Sequence, residues 1–403
     1  MILSDKFICA DEQYNSFEKN VPAPYIRKSF VFDSHTDNAT LTVGSPGFYR
    51  AFLNGTEITK GLLAPYISNP DELVFYDSYD ITDIIQAGEN VLVFLLGNGM
   101  VNAPGGAVWD FDKESFRASP RVAFALEAKT ASGDVVIEAD GSELCHDSPI
   151  YFDDLRCGER YDARNRTDGV LSIGFDDSDW TKAILCSAPK GKKTFCDTDP
   201  ILKTGEEIRP VKISEGERSL VYNPHRLAAG FNVFEKHTET MGYIYDFGIN
   251  TAGIFRLRIS GRAGQRVELQ FAETLDDEGR LYYGNINFYP DGFSQHDVYI
   301  LSGDVEEIYE PSFTYHGARY CLVTGIDKEQ ATEDLLTFLP AHSALTRIGG
   351  FECSDPVANK LYGMTVNSDL SNFFYFPTDC PHREKNGWLG DAAMSAEHFF
   401  MNY

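Results

Sequence analysis

From about Phe30 to Leu345 the apolar residues of this chain either alternate or run together for a few positions, and only beyond residue 350 do they recur at helical spacing. Alternation with a period of two is the pattern of strands, whose successive side chains face opposite sides of a sheet. FYRAFLNGTEI places Asn54-Gly55 between two such runs, a strong hairpin signal because both turn residues tolerate positive φ. VLVFLLGNG, Val91–Gly99, is continuously apolar and closed by Gly97-Asn98-Gly99, as expected of a strand buried on both faces. Together with 13% aromatic residues and 34 glycines, this spacing predicts a β-sandwich over the first block.

A second β-rich block runs from about Val211 to Leu345. In IFRLRISG, Phe255, Leu257 and Ile259 share one side and Arg256 and Arg258 the other. Val267, Leu269 and Phe271 repeat the alternation after Gly261–Gly264, so the two runs are expected to form a hairpin with one buried face. FTYHGARYCLVTG, Phe313–Gly325, reads as another strand pair. The polar stretch Gly191–Pro210 reads as a connection between the blocks; with acid dominating around Lys190, Lys192 and Lys193, a basic binding patch is the weaker reading. Near 350, Ser354-Asp355-Pro356 supplies an N-cap acid and a first-turn proline. Val357, Leu361, Met364, Leu370, Phe373 and Phe374 then predict a helix ending at Pro377, and Asp391 should cap a second one. The expected organisation is an N-terminal extension (1–24), a first sandwich (25–200), a second (201–345) and the start of a helical domain (346–403) that is cut short.

Charge narrows the partners. Lys and Arg total 35 against 61 Asp and Glu, a formal net charge of −26, which repels phosphate backbones and anionic lipid. Nucleic acid and membranes are therefore not expected as partners, and neutral ligands remain. MILSDKFICADEQ has an acid at Asp5 and no apolar stretch of signal-peptide length. The eight cysteines are scattered without a CxxC, so the expected compartment is the cytoplasm. Phosphate-cradling, zincin and nucleophile-elbow motifs are absent, and the nine histidines have no ligand-like spacing, with His382 and His398 read as structural or surface residues. ETLDDEG, Glu273–Gly279, lacks the spacing of a calcium loop and reads as a solvated turn. GFDDSDW reads as a sandwich-edge turn anchored by Trp180. No metal or cofactor is expected.

The chemistry concentrates in PTDCPHREKNGWLGDA, residues 377–392, where Asp379, Glu384 and Asp391 stand with Arg383, Lys385 and Trp388 between prolines and glycines. Clustered carboxylates beside an aromatic suit a sugar. Carboxylates accept bonds from hydroxyls, an indole stacks on the apolar face of a pyranose, and one acid can protonate a glycosidic oxygen. The bland alternative is an inter-helix loop whose acids cap helices and pair with Arg383 and Lys385, with Trp388 as a core anchor.

DCPHREKNGWLGD resembles the signature loop of bacterial α-L-rhamnosidases, glycoside hydrolase family 78. VPAPYIRKSF, FYRAFLNGTEI, the run LLAPYISNPDELVFYDSYDITDIIQAGENVLVFLLGNG and GERYDARN are similar to that family's N-terminal sandwich. YIYDFGINTAGIFRLRISGRAGQRVELQFAETLDDEGRLY and YEPSFTYHGARYCLVTG are similar to its next β domain, and GFECSDPVANKLYGMTVNSDLSNFFYFPTDCP to the entry of its catalytic (α/α)6 barrel. The resemblance implies a mostly β fold of two consecutive, jelly-roll-like sandwiches followed by the first barrel helices. It also implies hydrolysis of terminal α-L-rhamnosides with inversion, on a rhamnose-containing oligosaccharide or glycoside. By the same resemblance Glu384 is the general acid, Asp379 and Asp391 bind sugar hydroxyls, Trp388 lines the sugar pocket, and Arg383 is a further substrate-binding residue. Many members carry an acid pair and one more residue here; the shorter HREKNGW form leaves Glu384 as the one acid available.

A general acid must stay protonated near neutral pH, so its pKa has to rise above about 4.3 through burial and like charges. Asp379 and Asp391 favour that, whereas Arg383 and Lys385 oppose it unless their side chains point away. Inversion also needs a second carboxylate about 6.5–9.5 Å from the first. In the family it comes from far downstream in the barrel, so no residue up to Tyr403 is assigned to it and these 403 residues are expected to be inactive or nearly so alone. The competing readings are a non-catalytic carbohydrate-binding β-sandwich and a scaffold that binds nothing; an intact acid loop favours the enzyme.

Overall fold

The computed structural model describes residues 3–130, 133–219, 241–286, 289–290 and 292–403. Part of the second block, 220–240, lies outside the described residues. The chain forms two compact units, Met1–Asp154 with Asn165–Thr198, and Leu155–Arg164 with Asp199–Tyr403.

In the first unit two antiparallel-rich sheets share one core. One runs Ile184–Cys186, Phe7–Cys9, Arg121–Thr130, Thr36–Gly44, Leu73–Asp80, Lys192–Phe195, and the other Thr181–Lys182, Leu144–Asp147, Pro24–Phe32, Gly88–Gly97, Phe48–Leu53, Thr56–Glu57. Alternate residues of each strand point inward, so Leu41, Val43, Phe94, Leu96, Phe124 and Leu126 meet in the core. Asn54 and Gly55 take φ of 51° and 84° and turn Phe48–Leu53 into Thr56–Glu57, as the hairpin signal requires. Gly88–Gly97 buries both faces: Leu92, Phe94 and Leu96 join the core, while Val91, Val93 and Leu95 are also buried. Residues 170–180 pack beside the neighbouring strand, where buried Arg27 bonds the carbonyls of Val170 and Ser172 and pairs with Asp177. Trp180 stacks on His146 at 5.2 Å. The stretch Gly191–Pro210 is more ordered than a plain linker, since Lys192–Phe195 pairs with Leu73–Asp80 and the unit boundary falls after Thr198.

The second unit is organised by one long strand, Gly242–Ile259. Its first half pairs with Lys212–Gly216 and His316–Thr324; past a register shift between Asp246 and Thr251 it pairs with Leu336–Ser343 and Glu307–Tyr309. Such a bulge bends a strand and lets it serve two layers. The core between them is aromatic, with Phe255 stacked on Phe338 at 4.1 Å and tilted against Phe271 at 4.4 Å. Phe255, Leu257, Ile259, Val267, Leu269 and Phe271 are all buried as the alternation predicts, but the expected hairpin does not form. Arg266–Ala272 pairs with His296–Ile300 and with His316–Thr324, which lies between the two runs. The turn at Gly261–Gly264 thus leads to a strand two places along the same sheet. Phe313–Gly325 likewise contributes one strand rather than a pair. The acidic turn closes through Asp276, which accepts from the backbone of Glu278 and Arg280.

Two helices complete this unit. Helix α1, Pro356–Ser371, is capped by Asp355, whose carboxylate accepts from Val357 N at 2.8 Å. It stops six residues before Pro377, because Phe373–Phe374 and Phe376–Pro377 leave it to form a small hairpin. Helix α2, Leu389–Asn402, begins after Trp388, so Asp391 sits inside its first turn rather than at the cap. There it complements the helix dipole without a capping bond. Both helices present exposed apolar residues, among them Val357, Leu361, Leu389, Met394 and Phe400. No helix among the described residues is long and apolar enough to cross a membrane.

Candidate active site

The loop between the small hairpin and α2 is held from both ends of its own sequence. Asp379 N donates to Asn386 O at 2.9 Å, and Asn386 N returns a bond to Asp379 Oδ1 at 3.1 Å. That reciprocal pair closes residues 379–386 into a ring and fixes the Asp379 carboxylate. Its other oxygen accepts from the Cys380 thiol at 3.1 Å, and the same sulfur accepts from Glu384 N at 3.4 Å. Burial pushes the Cys380 thiol up to about 11, so it keeps the proton it donates.

Glu384 is held by both oxygens: Oε2 accepts from Trp388 Nε1 at 2.9 Å, and Oε1 lies 3.4 Å from Arg383 Nη2. Its side chain is 17% exposed, whereas Trp388 is 45% exposed and offers an open indole face. Arg383 also donates to Asn285 O at 3.2 Å. Lys385 turns away, adopting φ of 54° and burying its ammonium against the Tyr315 ring at 4.4 Å, with a bond to Leu155 O at 2.7 Å and one to Tyr315 O. Of the two cations expected to oppose a protonated acid, one is thus removed from the carboxylate and the other touches it at long range. Arg383 thus keeps one pairing of a structural acid loop, with Glu384, and Lys385 keeps none.

A cleft of about 410 Å³ opens beside the loop, with Asp369, Asp379, Asp391, Met394 and Phe399 in its walls. Asp379 and Asp391 therefore share one concavity, while Glu384 and Trp388 are joined to each other and reach Asp379 through Cys380. Asp369 was not foreseen; burial raises its carboxyl, and His398 of α2 pairs with it. His382 faces Glu273, with Nδ1 3.6 Å from Oε1, and burial holds its imidazole below the usual range. No group of His, Cys, Asp and Glu among the described residues could hold a metal ion.

Residues that no local pattern revealed build the floor. Arg156 is fully buried and donates from Nε to Glu384 O at 2.8 Å and from Nη2 to Asn386 Oδ1 at 2.5 Å. Tyr289 OH donates to Arg383 O at 3.2 Å. Gly317 lies directly under Pro381, where a methyl group would meet the proline ring at 2.5 Å. Only the glycine in HGARY hinted at such a close approach.

Three family models match the chain in succession. Residues 34–204 match the model of the α-L-rhamnosidase N-terminal domain, 236–340 the bacterial α-L-rhamnosidase concanavalin-like domain, and 346–403 the bacterial α-L-rhamnosidase 6 hairpin glycosidase domain. An α-L-rhamnosidase of Formosa agariphila is 32% identical over 388 residues, covering 94% of this chain and 38% of its own length. The solved α-L-rhamnosidase of Dictyoglumus thermophilum is 29% identical with a TM-score of 0.83, over 99% of this chain and 42% of that one. The Streptomyces avermitilis enzyme, solved with L-rhamnose, is 29% identical with a TM-score of 0.78, over 94% and 34%. The chain thus spans well under half the length of these relatives, yet all three successive domain models match in order. It belongs to the bacterial α-L-rhamnosidase family, with the N-terminal and concanavalin-like domains followed by the opening of the six-hairpin glycosidase domain.

Proposed function

We propose that this chain supplies the β domains and the acid-bearing loop of an enzyme that hydrolyses terminal α-L-rhamnosides with inversion. The observation that carries the reading is the hydrogen bond from the exposed Trp388 indole to Glu384 Oε2 at 2.9 Å. It fixes the carboxyl plane beside a ring able to stack on a sugar; Oε1, which Arg383 meets only at 3.4 Å, hands a proton to the glycosidic oxygen. Asp379 and Asp391, in one cleft, accept bonds from the sugar hydroxyls, and Arg383, beside Glu384, adds a donor. The second carboxylate, which activates water on the opposite face, is assigned to a part of the six-hairpin domain outside these 403 residues. The eight cysteines, none bridged, suit a reducing compartment such as the cytoplasm.

The test compares turnover of a chromogenic α-L-rhamnoside by the 403-residue chain and by a chain extended through a complete six-hairpin domain, following the product anomer by proton NMR. Turnover by the extended chain alone, with the inverted anomer appearing first, is expected. The retained anomer, or full turnover by the short chain, would overturn the reading, and rhamnose binding with no turnover from either would favour a lectin.

A further inference from the structure

The acid loop is fastened from a segment more than two hundred residues upstream. Leu155–Arg164 belongs to the second unit although its sequence falls within the stretch matched by the N-terminal domain model. It is itself rigidly held. Gly158–Asp162 pairs in parallel with His296–Ile300. Gly158 has φ of 131°, where a side chain would run into His296 O at 2.3 Å. Buried Glu159 accepts from the backbone of Ser312 and Phe313 at 2.9 and 3.1 Å, and Leu155 O receives both Thr314 and Lys385.

From this fixed base Arg156 reaches the loop at two points. Nε holds the carbonyl of Glu384, and Nη2 holds the side chain of Asn386, whose own backbone locks Asp379. A planar guanidinium with two parallel donors sets position and orientation together, which a point charge cannot do. Pulling on the main chain of Glu384 rather than on its carboxylate leaves the reacting group free.

We propose that Arg156 is a positioning residue that sets where Glu384 and Asp379 stand, so that the Leu155–Arg164 segment is part of the catalytic apparatus of the six-hairpin domain. This rests on the reading of Glu384 as the acid. In the extended chain, Arg156→Ala and Asn386→Ala should each lower kcat by about 10²-fold, the cost of displacing a reacting group by about 1 Å. KM should rise by less than kcat falls, because Asp379 moves with the loop while Asp391, on α2, keeps its place. The double variant should be no worse than Arg156→Ala, since that change already removes the bond to Asn386. Arg156→Lys should restore only part of the rate.

The 403-residue chain gives a second readout. With 5-fluorotryptophan at its three tryptophans, the fluorine signal of Trp388 should shift in Arg156→Ala, while Trp109 and Trp180, in the first unit, stay in place. A folded Arg156→Ala with unchanged kcat, or a rate loss with Trp388 unmoved, would overturn the proposal. Should Arg156→Ala not fold, the smaller change Asn386→Ala decides by the same two criteria. An extended Glu384→Gln that keeps full activity would sink the reading of the acid instead, and the Trp388 signal would still decide whether Arg156 sets the loop.

Discussion

Gly317→Ala is a small change with a long reach. The added Cβ would lie 2.5 Å from Pro381 Cγ, 2.8 Å from its Cβ and 3.0 Å from its carbonyl carbon. Comfortable carbon contacts lie at about 3.5–4.0 Å, so something has to give by about 1 Å. The strand cannot retreat: Gln295 brackets the glycine, accepting from Gly317 N at 3.0 Å and donating to Gly317 O at 2.9 Å. Pro381 must move instead, carrying the turn that leads to Glu384. Overpacking of this kind costs about 1–3 kcal/mol, and a shift of about 1 Å at a reacting group costs about 10²-fold in rate. Thermal melts should therefore fall by about 2–12 °C, and rhamnoside hydrolysis by the extended chain should drop through kcat. Gly363→Ala in α1 is the control, because nothing lies within 4 Å of its Cβ; there alanine should stabilise the helix by about 0.5–1 kcal/mol. A Gly317→Ala protein with wild-type melting and turnover within twofold of normal would refute the reasoning.

Phe255→Ala removes the middle ring of the Phe338–Phe255–Phe271 stack and should cost about 3–5 kcal/mol in urea melts of the second unit; a loss under about 1 kcal/mol would mean that the core collapses into the gap. Trp388→Phe keeps a stacking ring but deletes the donor to Glu384 Oε2; because the indole is about half exposed, kcat should fall only roughly fivefold, about 1 kcal/mol, while Trp388→Ala should raise KM as well. An unchanged KM in Trp388→Ala would remove the indole from the sugar site. Burial pushes Asp153 up to about 7, so the native first unit holds this proton more tightly than the unfolded chain does. Its contribution is complete below about pH 4 and is lost as pH rises through about 7, amounting to about 4 kcal/mol at most. Denaturant melts followed by Trp109 and Trp180 should weaken from pH 5 to pH 8, and Asp153→Asn should flatten that slope; a wild-type slope in the variant would point to other groups.

Alternation in the sequence told which residues are buried far better than which strands are neighbours. Phe255 to Phe271 all reach the core as read, yet His316–Thr324 separates the two runs, because a period of two marks the face and carries no information on the partner. The Asn54-Gly55 turn and the Asp355 cap were legible because a local backbone requirement dictates the residue type. The end of α1 was not, since Phe373 and Phe374 continue the helical spacing but leave the helix, where Phe374 packs on Tyr315 at 3.6 Å. At the site, the grouping of the acids with Trp388 was visible in the sequence, while the role proposed for each came from the family resemblance. Lys385 was misleading as a loop cation, since its burial depends on the carbonyls of Leu155 and Tyr315, distant in sequence. Arg156 was invisible for the same reason.

The role of Glu384 is tested most directly by its dependence on the leaving group. In the extended chain, Glu384→Gln should lose about 10²–10⁴-fold on an alkyl α-L-rhamnoside, whose alkoxide cannot depart without a proton. It should lose much less on a dinitrophenyl rhamnoside, whose phenolate leaves unaided. Equal losses on both substrates, or no loss on the alkyl glycoside, would contradict proton donation by Glu384.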